Sequence, residues 1–384
     1  MLSNRTATGN KVVKVAGEAL AFGEVVYFKS DGKAWRADAD GSSTFPAMAM
    51  SLGTVAAGNS GTFLVQGNVR NDSWSWTIGG TVYLSTTVGA MTQTAPTTAG
   101  NIVQVLGVAH PNADTIFFSP QLTYTSVPVS AVFVVVAGGG GGGNGGGGSY
   151  MGGGGAGGMV DNTTLSLTKF EYYTVTVGAG GADHTTGSNS VCSSITAYGG
   201  GQGAAWNQTS GLSGGSGGGG DLYADPAGTG VATQGNAGGL GDASDGSGGG
   251  GGGGGAGATG GTAATSGGSG GAGYSSLVNG TTYAGGAGGA GWPGGTGGGS
   301  GGSGGGGNGG SYQGTAGTAG TANTGGGAGG GAAGGSGVVI IKIVDSLTLA
   351  FSGGVTYSGG SPSGGYRTYT ITATSTSSET FTCS

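Results

Sequence analysis

Two histidines and two cysteines, His110, His184, Cys192 and Cys383, are the side chains best suited to metal binding or nucleophilic chemistry. A zinc site takes ligands in close pairs, and no two of these four have that spacing. Each histidine reads as a turn residue. Two cysteines are too few for a disulfide framework; the sequence leaves their pairing open, and two small apolar residues is the plainer reading. Paired carboxylates could cleave a glycoside, but Asp221, Asp225, Asp242 and Asp245 all sit among Gly, Ser and Ala, the composition of loops. Strings of the form GxGxxG recur wherever glycine is this dense, and no strand–turn–helix context follows them. No Walker lysine is present. The chemistry expected is non-enzymatic, with no cofactor and no metal.

Aromatic side chains are better candidates. Tyr150, Trp206, Tyr223, Tyr274, Tyr283, Trp292 and Tyr312 each stand alone in glycine surroundings. A ring with a polar handle, held on a rigid turn, is a good contact for carbohydrate or protein. The competing reading is that each ring covers the end of a glycine bundle or packs on a neighbouring glycine helix. Trp74 and Trp76, nearer the N-terminus, read instead as core or subunit-interface residues.

The elements that must hold these rings are unusual. Of 384 residues, 105 are glycine, and most fall in 138–337, where Lys169 is the only Lys or Arg. Charged residues make up 7% of the chain, against about 25% in an ordinary soluble protein. Charge-rich disorder does not fit a chain that is 35% hydrophobic. The net charge of -6 and scattered basic residues argue against nucleic-acid binding. No apolar run approaches the ~20 residues that span a bilayer. Met1-Leu2-Ser3-Asn4-Arg5 has no apolar core after it, so no secretory signal is expected.

The expected fold class is all-β. Residues 1–122 carry short strand candidates such as Val12-Val13-Lys14-Val15, Glu24-Val25-Val26-Tyr27-Phe28, Thr62-Phe63-Leu64-Val65-Gln66 and Thr115-Ile116-Phe117-Phe118. Turn clusters such as Ser30-Asp31-Gly32 and Ala57-Gly58-Asn59 separate them. This pattern predicts a small barrel or sandwich. Only Pro46-Ala47-Met48-Ala49-Met50 hints at a helical period. Residues 123–131 read as a connector. The field 132–344 is bracketed by two β-branched runs, Val132-Phe133-Val134-Val135-Val136-Ala137 and Val338-Val339-Ile340-Ile341-Lys342-Ile343-Val344. A flexible linker would have no use for such brackets. Inside it, Phe170-Glu171-Tyr172-Tyr173-Thr174-Val175-Thr176-Val177 and Ser193-Ser194-Ile195-Thr196-Ala197-Tyr198 predict isolated strands. Residues 345–384 predict a short C-terminal β unit, with Tyr369 and Ile371 alternating against Thr370 and Thr372.

The N-terminal region resembles a small β-barrel module of tailed-phage head-decoration and fibre proteins. The residues that carry the likeness are Ala21-Phe22-Gly23-Glu24-Val25-Val26-Tyr27-Phe28, Asn71-Asp72-Ser73-Trp74-Ser75-Trp76, Gly80-Thr81-Val82-Tyr83-Leu84-Ser85 and Val103-Gln104-Val105-Leu106-Gly107-Val108-Ala109. The second likeness lies in an apolar strand ending in oligoglycine, Tyr173-Thr174-Val175-Thr176-Val177-Gly178-Ala179-Gly180-Gly181, a long glycine field, and a closing Gly335-Ser336-Gly337-Val338-Val339-Ile340-Ile341. It resembles the glycine-rich domain of phage tail fibres and adhesins. Such a domain can be ordered as stacked polyglycine II helices, left-handed with three residues per turn and ~3.1 Å rise. They hold no internal hydrogen bonds, so every amide is left for a neighbouring helix. Collagen is excluded by the break in its three-residue period at 248–255 and by only eight prolines.

The resemblance implies a virion-surface protein, a head or tail fibre that docks on other virion proteins through its N-terminal module. It also implies a homo-oligomer, a trimer by analogy, that offers the glycine-rich module to a host-surface glycan or protein. Two rivals are a capsid-decoration protein with a purely structural glycine module and, more weakly, a secreted glycine-rich filament or matrix protein.

Overall fold

The computed structural model describes residues 4–41, 43–144, 151–205, 210–222, 226–242, 248–291, 297–311 and 315–384. It is all-β, and no helix occurs among these residues. The chain divides into two compact units.

The first unit comprises Met1–Val129 with Ser166–Phe170 and Ser384. Its strands are β1 (Thr6–Val15), β2 (Val25–Phe28), β3 (Ala34–Arg36), β4 (Ala49–Ser51), β5 (Ser60–Arg70), β6 (Thr81–Leu84), β7 (Met91–Thr92), β8 (Ile102–Val103), β9 (Val105–Ala109), β10 (Thr115–Phe118) and β11 (Thr125–Ser126). Nine of them form one antiparallel sheet in the order β3-β2-β4-β5-β10-β9-β6-β7, with β1 along β5; β8 and β11 pair separately. The result is a half-barrel.

The long β5 organises this unit. β1 covers its whole length, while β4 bonds at Phe63 and Leu64 and β10 at Gly67 to Arg70. Gly9 and Gly67 oppose each other at positive φ, 125° and 148°. A Cβ on either would strike the backbone of the other strand, so both positions require glycine. Two apolar clusters fill the interior: one around Leu64, Leu84, Leu106, Ile116 and Phe118, the other around Leu20, Val26, Val55 and Phe63. Gln104 is fully buried, and its amide is satisfied by Ala47 N, Ala47 O and Gln121 O, each at 2.8 Å. The helical hint at Pro46 to Met50 is not realised. Ala49 and Met50 enter β4, where both side chains are buried, because pairing with β2 and β5 outweighs a short local period.

The second unit comprises Ser130–Leu165 and Glu171–Cys383. Its strands are β12 (Val129–Val136), β13 (Met159–Leu167), β14 (Tyr172–Thr176), β15 (Ser190–Cys192), β16 (Ile195–Ala197), β17 (Tyr274–Ser275), β18 (Thr282–Tyr283), β19 (Val338–Val344), β20 (Leu349–Phe351), β21 (Val355–Ser363), β22 (Tyr366–Thr374) and β23 (Thr380–Cys383). The two bracketing runs are β12 and β19, and they pair with each other from Val132↔Lys342 to Val136↔Val338. The tail does not stand apart. β22 adds to β19 and carries β21, giving the sheet β13-β12-β19-β22-β21. β23 joins β14 and β20 in the second sheet, β16-β15-β14-β23-β20.

Candidate functional site

Between β12 and β19 the backbone itself is the core. The segment 138–143 shows how. Gly138 and Gly141 donate to Ser188 O and Thr185 O, Gly139 and Gly142 to Gly335 O and Ala332 O, and Gly140 and Gly143 to Gly155 O and Gly152 O, all at 2.9–3.1 Å. Every third amide returns to the same neighbour, and three successive amides point to three different ones. This is the signature of a helix with three residues per turn and external hydrogen bonds.

The segment 151–158 lies at the centre of the lattice and is wholly buried. Gly152, Gly155 and Gly158 donate to 198–204, Gly153 and Ala156 to 251–254, and Gly154 and Gly157 to 325–328. Its carbonyls accept from 137–143, from Ser216 and Gly219, and from Ala287 and Ala290. Six segments surround one, which is hexagonal packing. An added Cβ in its glycines would overlap neighbouring carbonyls at Gly152, Gly154, Gly155 and Gly157. The one alanine within the run, Ala156, is where the lattice meets the sheet. Ala156, Met159, Tyr283 and Ala284 pack against Val134, Val136, Val338 and Ile340.

A hairpin rises from this lattice. Tyr274↔Tyr283 and Ser275↔Thr282 pair β17 with β18. The turn between them is densely bonded: Ser276 N to Thr281 O at 2.9 Å, Gly280 N to Ser276 O at 2.8 Å, and Thr281 N to Asn279 Oδ1 at 3.0 Å. Gly280 has φ 73°, a conformation that suits glycine after asparagine in a tight turn. Asp161 on β13 clamps the hairpin by accepting from Ser276 Oγ at 2.7 Å and from Leu277 N at 2.8 Å.

Beside the hairpin is a cleft of about 370 Å³, lined by Met159, Asp161, Thr233, Gln234, Asn236, Tyr274 and Leu277 among others. Tyr274 is 43% exposed and Leu277 71%. Gln234 is fixed by Nε2 donating to Thr196 O and Oε1 accepting from Tyr198 N, at 2.9 and 3.0 Å. Asn236 Nδ2 donates to Gly255 O and Ala256 O, at 2.8 and 3.1 Å. Thr233 holds φ 70°, an outlier for a β-branched residue. Among the described residues the site has a displayed ring, pinned amides and one carboxylate, Asp161, each of whose oxygens accepts a hydrogen bond from the hairpin.

A family model for a glycine-rich domain matches residues 119–344, more than half of the chain. The chain belongs to the glycine-rich domain family. No curated protein and no solved structure matches it.

Of the seven aromatic candidates in the glycine-rich domain, Tyr150, Trp206, Tyr223, Trp292 and Tyr312 lie outside the described residues. The other two separate. Tyr283 is 6% exposed within the apolar cluster, and its hydroxyl accepts from Asn279 Nδ2 at 3.0 Å, so it packs and is not displayed. Tyr274 is displayed. Nothing local in the sequence marks Asp161, Gln234, Asn236 or Leu277. The Asn279-Gly280 pair between Tyr274-Ser275 and Thr282-Tyr283 is the hairpin signal that could have found this region.

Cys192 and Cys383 are buried thiols, and burial pushes the Cys192 thiol up, away from reactivity at neutral pH. Asp221 is buried and Asp242 joins a bridge to Gly249, while Asp225 and Asp245 lie outside the described residues. No group of His, Cys, Asp and Glu able to hold a metal occurs among the described residues. In the first unit, Trp74 and Trp76 meet edge-to-face at 5.9 Å, half-buried against the larger apolar cluster.

Proposed function

We propose that this chain is a non-enzymatic bacteriophage virion protein, a head or tail fibre. In this reading its N-terminal unit docks on other virion proteins and its glycine-rich domain is displayed for adhesion to the host surface. The observation that carries the reading is the pinned hairpin on the glycine lattice. A core of backbone bonds needs no flexible side chains, so it can hold an exposed ring such as Tyr274 in a fixed place. Preorganised aromatics lower the ordering cost of binding. The half-barrel, with an ordinary apolar core and most of the charge, suits the docking partner. An oligomer, trimeric by analogy with phage fibres, is part of the same proposal.

Immunogold electron microscopy with antibody against the glycine-rich domain tests it. Label at fibre tips on phage particles supports adhesion. Label spread over the capsid shell favours the decoration protein, and particles without label overturn the virion reading.

A further inference from the structure

We infer that the cleft beside Tyr274 is a binding site for a neutral saccharide; this deepens the adhesive reading and rests on it for its biological meaning. Tyr274 supplies an exposed ring at the rim, and Leu277 an exposed apolar neighbour. A sugar presents the matching surfaces, an apolar face of C–H groups that stacks on a ring and a rim of hydroxyls.

The polar groups suit hydroxyls and not an anion. Asn236 commits Nδ2 to two lattice carbonyls, so Oδ1 is the acceptor it has to offer. Thr233 adds a hydroxyl from a turn closed by Gln234 N donating to Val231 O at 3.0 Å. Its left-handed backbone stands where glycine or asparagine is usual, and a strained residue lining a cleft points to a function for that position. No Lys or Arg is among the described residues that line the cleft, which leaves an anionic sugar without a counter-charge there. Asp161, the carboxylate among the described lining residues, accepts from Ser276 Oγ and Leu277 N, so it serves first to clamp the hairpin. The volume falls within the ~300–1,000 Å³ of small-ligand sites. The amides are held by backbone bonds before any ligand arrives, as a weakly attractive ligand requires.

Titrating the full chain with neutral gluco-, galacto- and manno-configured oligosaccharides, followed by saturation-transfer NMR and calorimetry, tests the assignment. At least one oligosaccharide should bind. Tyr274→Ala should weaken it by about tenfold or more, and Tyr274→Phe should keep most of the affinity. Tyr357→Ala, at an exposed ring on β21, should change nothing. The assignment is overturned if none of the panel binds, if Tyr274→Ala binds as well as the parent, or if sialylated or sulfated sugars or a peptide bind in preference. Cell binding that persists while no sugar competes would remove the saccharide and leave adhesion standing. Sugar binding by a chain absent from particles would do the reverse.

Discussion

Val136 and Val338 face each other in an antiparallel ladder, although the whole glycine field lies between them. The field therefore leaves and returns at one place on one sheet. Its ends are fixed by Val134, Val136, Val338 and Ile340, all buried against Ala156 and Tyr283 of the lattice. A closed loop of this kind loses less entropy when its interior orders, because the ends are already held.

Substitution inside the lattice should be costly in a way that depends on place and not on glycine as such. Gly252 donates to Gly261 O and accepts from Gly239 N, and an added Cβ would strike the Ser269 carbonyl. Gly252→Val should destabilise the second unit by about 3 kcal/mol or more, since rigid backbone cannot give way. Gly353 has open space around its Cβ position; Gly353→Val should leave the melting temperature within a degree or two. Equal melting of the two variants would contradict the account.

The two tyrosines of the β17–β18 pair should respond oppositely. Tyr283→Ala removes a buried ring and should cost about 3 kcal/mol of stability. Tyr274→Ala should leave melting nearly unchanged and act only on binding. Thermal denaturation of both variants decides this.

Electrostatics should matter modestly, and in the first unit. Partial burial works to raise the Glu18 carboxyl, but the Arg36 guanidinium, at 2.6 Å, outweighs it and holds the group below its usual 4.5. A depressed carboxylate adds stability above its unfolded pKa and loses it as pH falls through the folded value. The half-barrel should therefore weaken below about pH 4.5, and Glu18→Gln should flatten that part of the curve. The effect is about 1 kcal/mol at most, because both side chains are partly exposed. Stability of the two proteins measured from pH 6 to pH 3 checks it.

Docking should follow the first unit. A chain ending at residue 128 keeps β1 to β11 and should bind the virion, while one starting at Val129 should not. The short chain should be somewhat less stable than the whole, since it lacks Phe170, whose ring packs 5.7 Å from Phe45, and Lys169, whose amide donates to Ser126 Oγ. Binding by the C-terminal piece alone would reverse the proposed orientation.

Much of the fold is legible in the sequence because its signals are local. The β-branched brackets, the turn clusters of the half-barrel and the glycine runs each announce themselves within a few residues. What escaped is what depends on distant partners. β13 reads as an ordinary polar stretch, Met159 to Leu167, until β12 lies beside it. From sequence the tail reads as a separate unit, because nothing in Tyr366 to Thr374 says that its partner is β19. The cleft escaped for a related reason: Gln234 and Asn236 meet Tyr274 only through the lattice, and lone polar residues in glycine surroundings look alike. Period three in the hydrogen bonds has no trace in composition, because glycine occupies nearly every position of the helix.

Amide hydrogen exchange of 152–158 and 250–255 tests the central claim, that glycine backbone bonds form the core. Every amide of 152–158 donates to a neighbouring segment, and both stretches are buried. They should exchange as slowly as those of β12 and β19, at rates set by global unfolding. Uniformly fast exchange across these glycines, with β12 and β19 still protected, would contradict it.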